Sequence, residues 1–368
     1  MNIKSVTLSI IKMPLKHSFT THLGTVTERE AIILEVKDSN GISGFGEGVA
    51  FSSPWYTEET VQTSYHVLKE FLIPLLKQKG LAHPEAAHVL FGSVRRNHMA
   101  KAALETALWD LQAKNEGVPL SSLIGGNKEV IPAGVVVGNP DVPAALQQIE
   151  KYLEQGFKRV KVKISPKDDY RYISEIRRHF PDLPLMADAN SAYSLEDLAR
   201  LQALDEFGLL MIEQPLGFDD IIDHAKLQGK IKTPICLDES IVTFEDARKA
   251  IELGSCGVIN IKIGRVGGLG EAKRIHDYCL SKGIPVWAGG MIEFGVSRAH
   301  NIALASMPGF TIPGDISGSD RYWEEDIIEP EIFVKNGMVK VPERPGIGFE
   351  LNRKRMKEVT VFEERFVF

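Results

Sequence analysis

The sequence predicts an α/β protein built on a closed barrel of the TIM type, preceded by an α+β unit. Three observations carry this expectation. From about Ile131, short apolar runs alternate with amphipathic helical stretches, which is the signature of a parallel sheet. Seven or eight such units fall within about two hundred residues, the size of a (β/α) barrel. The first third instead reads as strands and then helices.

In chain order, Val6 to Ile11 and Glu30 to Val36 read as short strands. A Gly-rich turn is expected through Gly41, Gly44, Gly46 and Gly48. From Thr57 to about Lys77 the apolar period is helical, and a second helix runs from His98 to about Glu116 before Gly117. The later apolar runs are Val135–Gly138, Val160–Ile164, Leu185–Ala187, Leu209–Ile212, Ile235–Leu237, Val258–Ile261 and Ile284–Ala288. Helical stretches such as Leu195–Leu204 and Phe244–Leu253 separate them. An open doubly wound sheet would prefer a Gly-rich phosphate loop after its first strand, and none is present. Gly264 to Gly270 reads as a flexible loop.

Composition bounds the function. The 368 residues hold 43 basic and 49 acidic side chains, a net charge of −6. No basic stripe offers phosphate contacts, which argues against a nucleic-acid partner. No apolar run is long enough to span a membrane, and Met1 to Leu15 shows no secretory signal. Cys236, Cys256 and Cys279 are odd in number and lack C-x-x-C spacing, which fits a reducing cytoplasm.

Polar residues interrupt the barrel pattern in register. Lys163, Asp188, Glu213, Asp238 and Lys262 each follow an apolar run, at spacings of 25, 25, 25 and 24 residues. One β-α unit takes that length, so all five are expected at the C-terminal mouth, where barrel enzymes do chemistry. A lone Asp after a strand is usually a helix cap, and a lone Lys is usually solvated. Five in register on consecutive strands point to a site. Three carboxylates side by side call for a hard divalent cation with oxygen ligands. No zinc-type His cluster accompanies them, and the His-x-His of a metallohydrolase is absent after Val135. A carboxylate substrate would complete the metal shell, and the metal would stabilise charge as a neighbouring C–H loses its proton.

The lysines are the acid–base pair. Strand alternation turns Lys161 and Lys163 to one face, and Asn260 and Lys262 likewise. Two cations on one face weaken each other's hold on protons. Lys161 is thus expected to tune Lys163, and Arg265 to tune Lys262. Counting from Val135, Lys163 is on strand two and Lys262 on strand six, opposite each other in a ring of eight. His17, His22, His98 and His300 read as structural.

The residues Lys161-Val-Lys163, Asp188-Ala-Asn190, Glu213-Gln-Pro215, Asp238-Glu239-Ser240 and Lys262-Ile-Gly-Arg265 resemble the enolase superfamily, muconate-lactonising subgroup. Ala102 to Asp110 is similar to that subgroup's signature helix. Phe51 to Tyr56, Met186 to Tyr193, Gly289 to Glu293 and Ile312 to Ser317 are similar to the family of o-succinylbenzoate synthases and N-acylamino acid (N-succinylamino acid) racemases. The resemblance implies a modified (β/α)7β barrel over residues 127–326, with a cap over 1–126 completed by 327–368. It implies Mg²⁺ or Mn²⁺ on Asp188, Glu213 and Asp238, with Lys161, Asn190, Glu239 and Arg265 in support. It implies dehydration of 2-succinyl-6-hydroxy-2,4-cyclohexadiene-1-carboxylate in menaquinone biosynthesis, with N-acylamino acid racemisation as the alternative. Lys163 would move the proton, and Lys262 would face the ring as a cation. Phe19, Phe51, Trp55, Tyr56, Met291, Ile292 and Phe294 are expected around the substrate. Ile263 and Phe294 depart from the family pattern, where Pro and Thr are common. A homo-oligomer is expected.

Overall fold

The computed structural model describes residues 1–21 and 24–368, so His22 lies outside the described residues. The cap opens on two long antiparallel strands, β1 (Ile3–Thr21) and β2 (Gly24–Asp38). They contain the two shorter strands expected from sequence. Their outer ends, such as Lys16-His17-Ser18, carry no apolar alternation, so pairing there leaves no sequence signature. The glycine-rich stretch is largely a strand rather than a turn: β3 (Ser43–Gly48) pairs with β2. The reason is close packing. A Cβ on Gly46 would lie 2.1 Å from the Ala103 carbonyl oxygen of helix α1 (His98–Glu116), so that helix rests directly on strand backbone. Gly117 ends α1 in the left-handed conformation, as its missing Cβ allows.

One face of this sheet buries Val6, Leu8, Ile10, Ile32, Leu34 and Val36 under α1 and the Val61–Lys79 helical segment. That segment carries a π turn at Leu68–Leu72.

The barrel strands follow in order: β4 (Val135–Val137), β5 (Val160–Lys163), β6 (Leu185–Asp188), β7 (Ile212–Glu213), β8 (Ile235–Leu237), β9 (Val258–Ile261) and β10 (Val286–Ala288). Each lies parallel to its sequence neighbour. The segment from Phe310 to Asp315 closes the ring by parallel bridges, Val286 to Phe310 on one side and Ala133 to Gly314 on the other. Helices α2 (Phe244–Leu253), α3 (Leu269–Ser281) and α4 (Gly295–Ala305) are among those that wrap the outside. Met186, Met211, Cys236, Val258 and Trp287 plug the barrel floor.

Finally β11 (Thr360–Val367) returns to the cap and pairs with β1, Val367 opposite Ser5. The three cysteines are buried and unpaired. Among the described residues no helix is long and apolar enough to cross a membrane.

Candidate active site

Parallel register sets Lys163, Asp188 and Glu213 side by side, and the ends of the next two strands bring Asp238 and Lys262 to the same mouth. Lys163, at the end of β5, pairs with Asp188 at the end of β6, which pairs with Glu213 at the end of β7. Asp238 follows β8 and Lys262 follows β9. A cavity of about 330 Å³ opens above them. Lys161, Lys163, Asp188, Asn190, Glu239 and Lys262 form its polar floor, while Glu213 and Asp238 lie below its surface. Phe19, Phe51, Trp55 and Tyr56 of the cap cover it, with Met291, Ile292 and Tyr322 from the far wall.

The charges are matched one by one. Lys163 Nζ donates to Asp188 Oδ2 and to Asn190 Oδ1, each at 2.6 Å. Lys161 Nζ lies 2.6 Å from Asp315 Oδ2, 3.0 Å from Glu213 Oε2 and 3.3 Å from Asp188 Oδ2. Lys262 Nζ donates to Asp238 Oδ2 and to the Tyr56 hydroxyl, both at 2.9 Å. Arg265 pairs with the other oxygen of Asp238. Asn260, on β9, donates to Glu213 Oε1 at 2.8 Å. The backbone is strained here: Asn190, Ser191 and Gln214 hold φ of 41°, 65° and 37°. Such conformations persist where surroundings enforce them, often at sites. The Gln214 side chain is so held, by Ser240 Oγ at 2.6 Å and the Asp238 amide at 3.0 Å.

These pairings correct one expectation. The carboxylates and hydroxyl around Lys161 and Lys262 outweigh burial and the neighbouring cations. Burial works to lower the Lys161 pKa, but Asp315, Glu213 and Asp188 outweigh it and raise it above the usual lysine range. For Lys262 burial is outweighed by Tyr56, Glu239 and Glu213, again upward. Burial raises Glu213, helped by the charge of Asp188. Asp188 itself is held low, because Lys163 and Lys161 overcome its burial. Asp188, Glu213 and Asp238 are paired here with ammonium and guanidinium groups, since an unpaired buried carboxylate is costly.

Phe294 is also misplaced by the sequence reading. It is fully buried away from the cavity, with its ring stacked on Trp323 at 4.2 Å. The Gly264–Gly270 stretch is ordered: Ile263–Val266 forms a helical turn, and Glu105 of α1 accepts from the amides of Leu269 and Gly270, both at 2.8 Å. His300 bridges Val296 and Thr106 carbonyls in the core, so its role is structural.

Asp315 was legible only as part of a motif. It ends the eighth stave and holds Lys161 and Arg159. Pro313-Gly314 beside it erases the strand pattern that would have placed it. Tyr322 and Phe218 also reach the cavity without any sequence signal.

Residues 144–355 match the family described as enolase C-terminal domain-like, and residues 5–125 match the mandelate racemase / muconate lactonizing enzyme N-terminal domain. The chain belongs to the enolase superfamily. This superfamily is one of divalent-metal-dependent enzymes. An o-succinylbenzoate synthase of Geobacillus kaustophilus is 57% identical over 366 residues, covering 99% of this chain and 98% of the relative. An N-succinylamino acid racemase of Thermus thermophilus is 47% identical, covering 99% and 98%. A solved enolase superfamily member from Listeria innocua superposes with a TM-score of 0.97 at 44% identity, covering 100% of this chain and 99% of that one.

Proposed function

We propose that this enolase superfamily chain is an o-succinylbenzoate synthase, a lyase that dehydrates 2-succinyl-6-hydroxy-2,4-cyclohexadiene-1-carboxylate in menaquinone biosynthesis. The observation that carries the chemistry is the pair of lysines, Lys163 and Lys262, lining one cavity from strands four places apart in the sheet. Relatives at 57% and 51% identity bear the synthase name.

The donor set suits Mg²⁺ or Mn²⁺. Asp188, Glu213 and Asp238 offer hard oxygens on successive staves, and two further buried oxygens, Asn260 Oδ1 and Glu239 Oε2, have no hydrogen-bond partner. When bound, the cation polarises the substrate carboxylate and stabilises the charge that builds as the adjacent C–H is lost. Lys163 takes that proton from the carbon next to the carboxylate and returns it to the departing hydroxyl as water leaves. Asn190 orients Lys163 through its amide oxygen. In this reaction Lys262 faces the ring from the other side as a cation. The cap aromatics exclude water. We take residues 1–126 with 327–368 as the cap and 127–326 as the barrel, in a cytoplasmic homo-oligomer.

A second reading is favoured by the same opposed lysines: racemisation of an N-succinylamino acid, each lysine serving one face of the α-carbon. A relative of 47% identity is named for this activity. Purified enzyme with Mg²⁺ tests both. Formation of o-succinylbenzoate is expected, and a protein that turns over neither that substrate nor an N-succinylamino acid refutes the proposal.

A further inference from the structure

Arg29 lies in β2, on the cap, yet is fully buried at the joint with the barrel. Among the described residues its guanidinium donates to carbonyl oxygens. Nε donates to Ile292 O at 2.9 Å and Nη1 to Ala50 O at 2.7 Å. Nη2 donates to Val49 O, and Nη1 also meets Glu30 O. The Phe51 ring lies face-on, 4.4 Å from the guanidinium carbon. Among the described residues no carboxylate stands within ion-pair distance of it.

Its partners share one property. Val49 and Ala50 lead into Phe51, which packs on Trp55 at 4.5 Å, and both rings line the cavity. Ile292 lines the opposite wall. A buried cation with no carboxylate in direct contact, only Glu47, Glu293 and Glu30 nearby, is a costly way to glue two domains, since apolar side chains of similar size do that at least as well. The planar fork offers something else: several donors in fixed directions. One rigid group thus holds the cap's aromatic wall at a set distance from the barrel's Ile292 wall. Nearby Glu47 grips the same barrel loop again, accepting from the Phe294 and Ser297 amides at 2.8 Å each.

We propose that Arg29 is a positioning residue that sets the width of the substrate cavity, and so decides how bulky a side group the enzyme accepts. This rests on the function proposed above and adds a determinant of specificity outside the cavity itself. Arg29 touches no substrate; it acts through Phe51 and Ile292.

The test uses the full chain with Mg²⁺, as wild type, Arg29→Lys and Phe51→Leu, and the double variant. Arg29→Lys keeps the charge and loses the fork, so it folds where Arg29→Met need not. For Arg29→Lys the KM for N-succinylphenylalanine is expected to rise ~10-fold, with kcat within ~3-fold and the KM for N-succinylalanine changed less. The double variant is expected to lose little beyond Phe51→Leu alone, because both changes break one wall. Full additivity, or equal KM changes for the two substrates, overturns the proposal. A substrate-free measurement separates this from the function: with 5-fluorotryptophan incorporated, the ¹⁹F signal of Trp55, assigned by Trp55→Phe, shifts in Arg29→Lys while those of buried Trp109, Trp287 and Trp323 stay. If the wild type turns over neither substrate class, the function proposal fails. If it is active and the Trp55 signal does not move, the Arg29 proposal fails.

Discussion

Lys262, on the barrel, donates to the hydroxyl of Tyr56, on the cap, at 2.9 Å, and its ammonium also lies 4.7 Å from the centre of the same ring. One cap residue therefore supplies both a hydrogen-bond acceptor and a π face to the lysine that stands opposite Lys163. The cap does more than cover the mouth; it completes the surroundings of one end of the proposed acid–base pair.

Removing bulk from the cap should alter binding before it alters the metal. Trp55→Ala or Phe19→Ala is expected to raise KM several-fold and to shift substrate preference, because both side chains line the cavity and neither can ligate a cation. Calorimetric titration with Mg²⁺ checks this. A large loss of metal affinity in a folded variant contradicts the placement of these side chains.

The two lysines separate the two reactions. Lys163→Ala should abolish dehydration and racemisation alike. Lys262→Arg keeps a cation but no usable base, since guanidinium stays protonated, so it should stop racemisation and leave part of the dehydration. Deuterium exchange in D₂O is followed with each enantiomer of N-succinylphenylalanine. Exchange of both enantiomers by either variant would refute the two-base assignment.

Chelation should abolish activity, and Mg²⁺ or Mn²⁺ should restore it. Because the cation would bind the folded chain alone, adding it is also expected to raise the melting temperature. Glu213→Gln should weaken that rise, having lost one charged oxygen ligand. A thermal shift that is equal in wild type and variant argues against Glu213 as a ligand.

Glu105 makes the cap–barrel joint sensitive to pH. Burial pushes its carboxyl up to about 7 from an ordinary 4.5, against the pull of the Gly270 and Leu269 amides. The folded chain therefore holds this proton more tightly than the unfolded chain does. Its contribution is most favourable below about 4.5 and declines as pH rises to about 7, by up to about 3 kcal/mol. Unfolding in urea at pH 5.5 and pH 8 should show that Glu105→Gln removes part of the wild type's loss at the higher pH. A wild-type-to-variant difference that is constant with pH would count against it.

Gly268 faces the same carboxylate. It holds φ of +136°, and a Cβ there would lie 2.5 Å from Glu105 Oε2. Gly268→Ala is expected to cost about 2–4 kcal/mol through strain and displacement of Glu105, read as a drop in melting temperature. An unchanged melting temperature would show the joint to be loose.

Much of the site was legible because a barrel repeats. The 25-residue rhythm from Lys163 to Lys262 set strand and end together, and the structure places all five residues at the C-terminal ends of consecutive strands. What escaped notice depends on contacts that no period encodes. Lys161 is ion-paired with Asp315, more than a hundred residues away, on a stave with a Pro-Gly break. Gly44 and Gly46 looked like a turn, because the helix that needs them bare lies sixty residues further on. Phe294 sits beside the cavity in sequence, but as the first residue before α4 it turns inward to Trp323.

The pairing of β11 with β1 has a temporal consequence. The cap sheet joins Ser5 to Val367, with every barrel strand between them in the chain. During synthesis the whole barrel has left the ribosome before the sheet's outer strand exists. Contacts so distant in sequence form slowly, and an unpaired strand edge is prone to wrong partners. Until then β1 waits with one edge bare, so the interval before the last strand arrives is when a nascent chain is most exposed to chaperones and to its own neighbours.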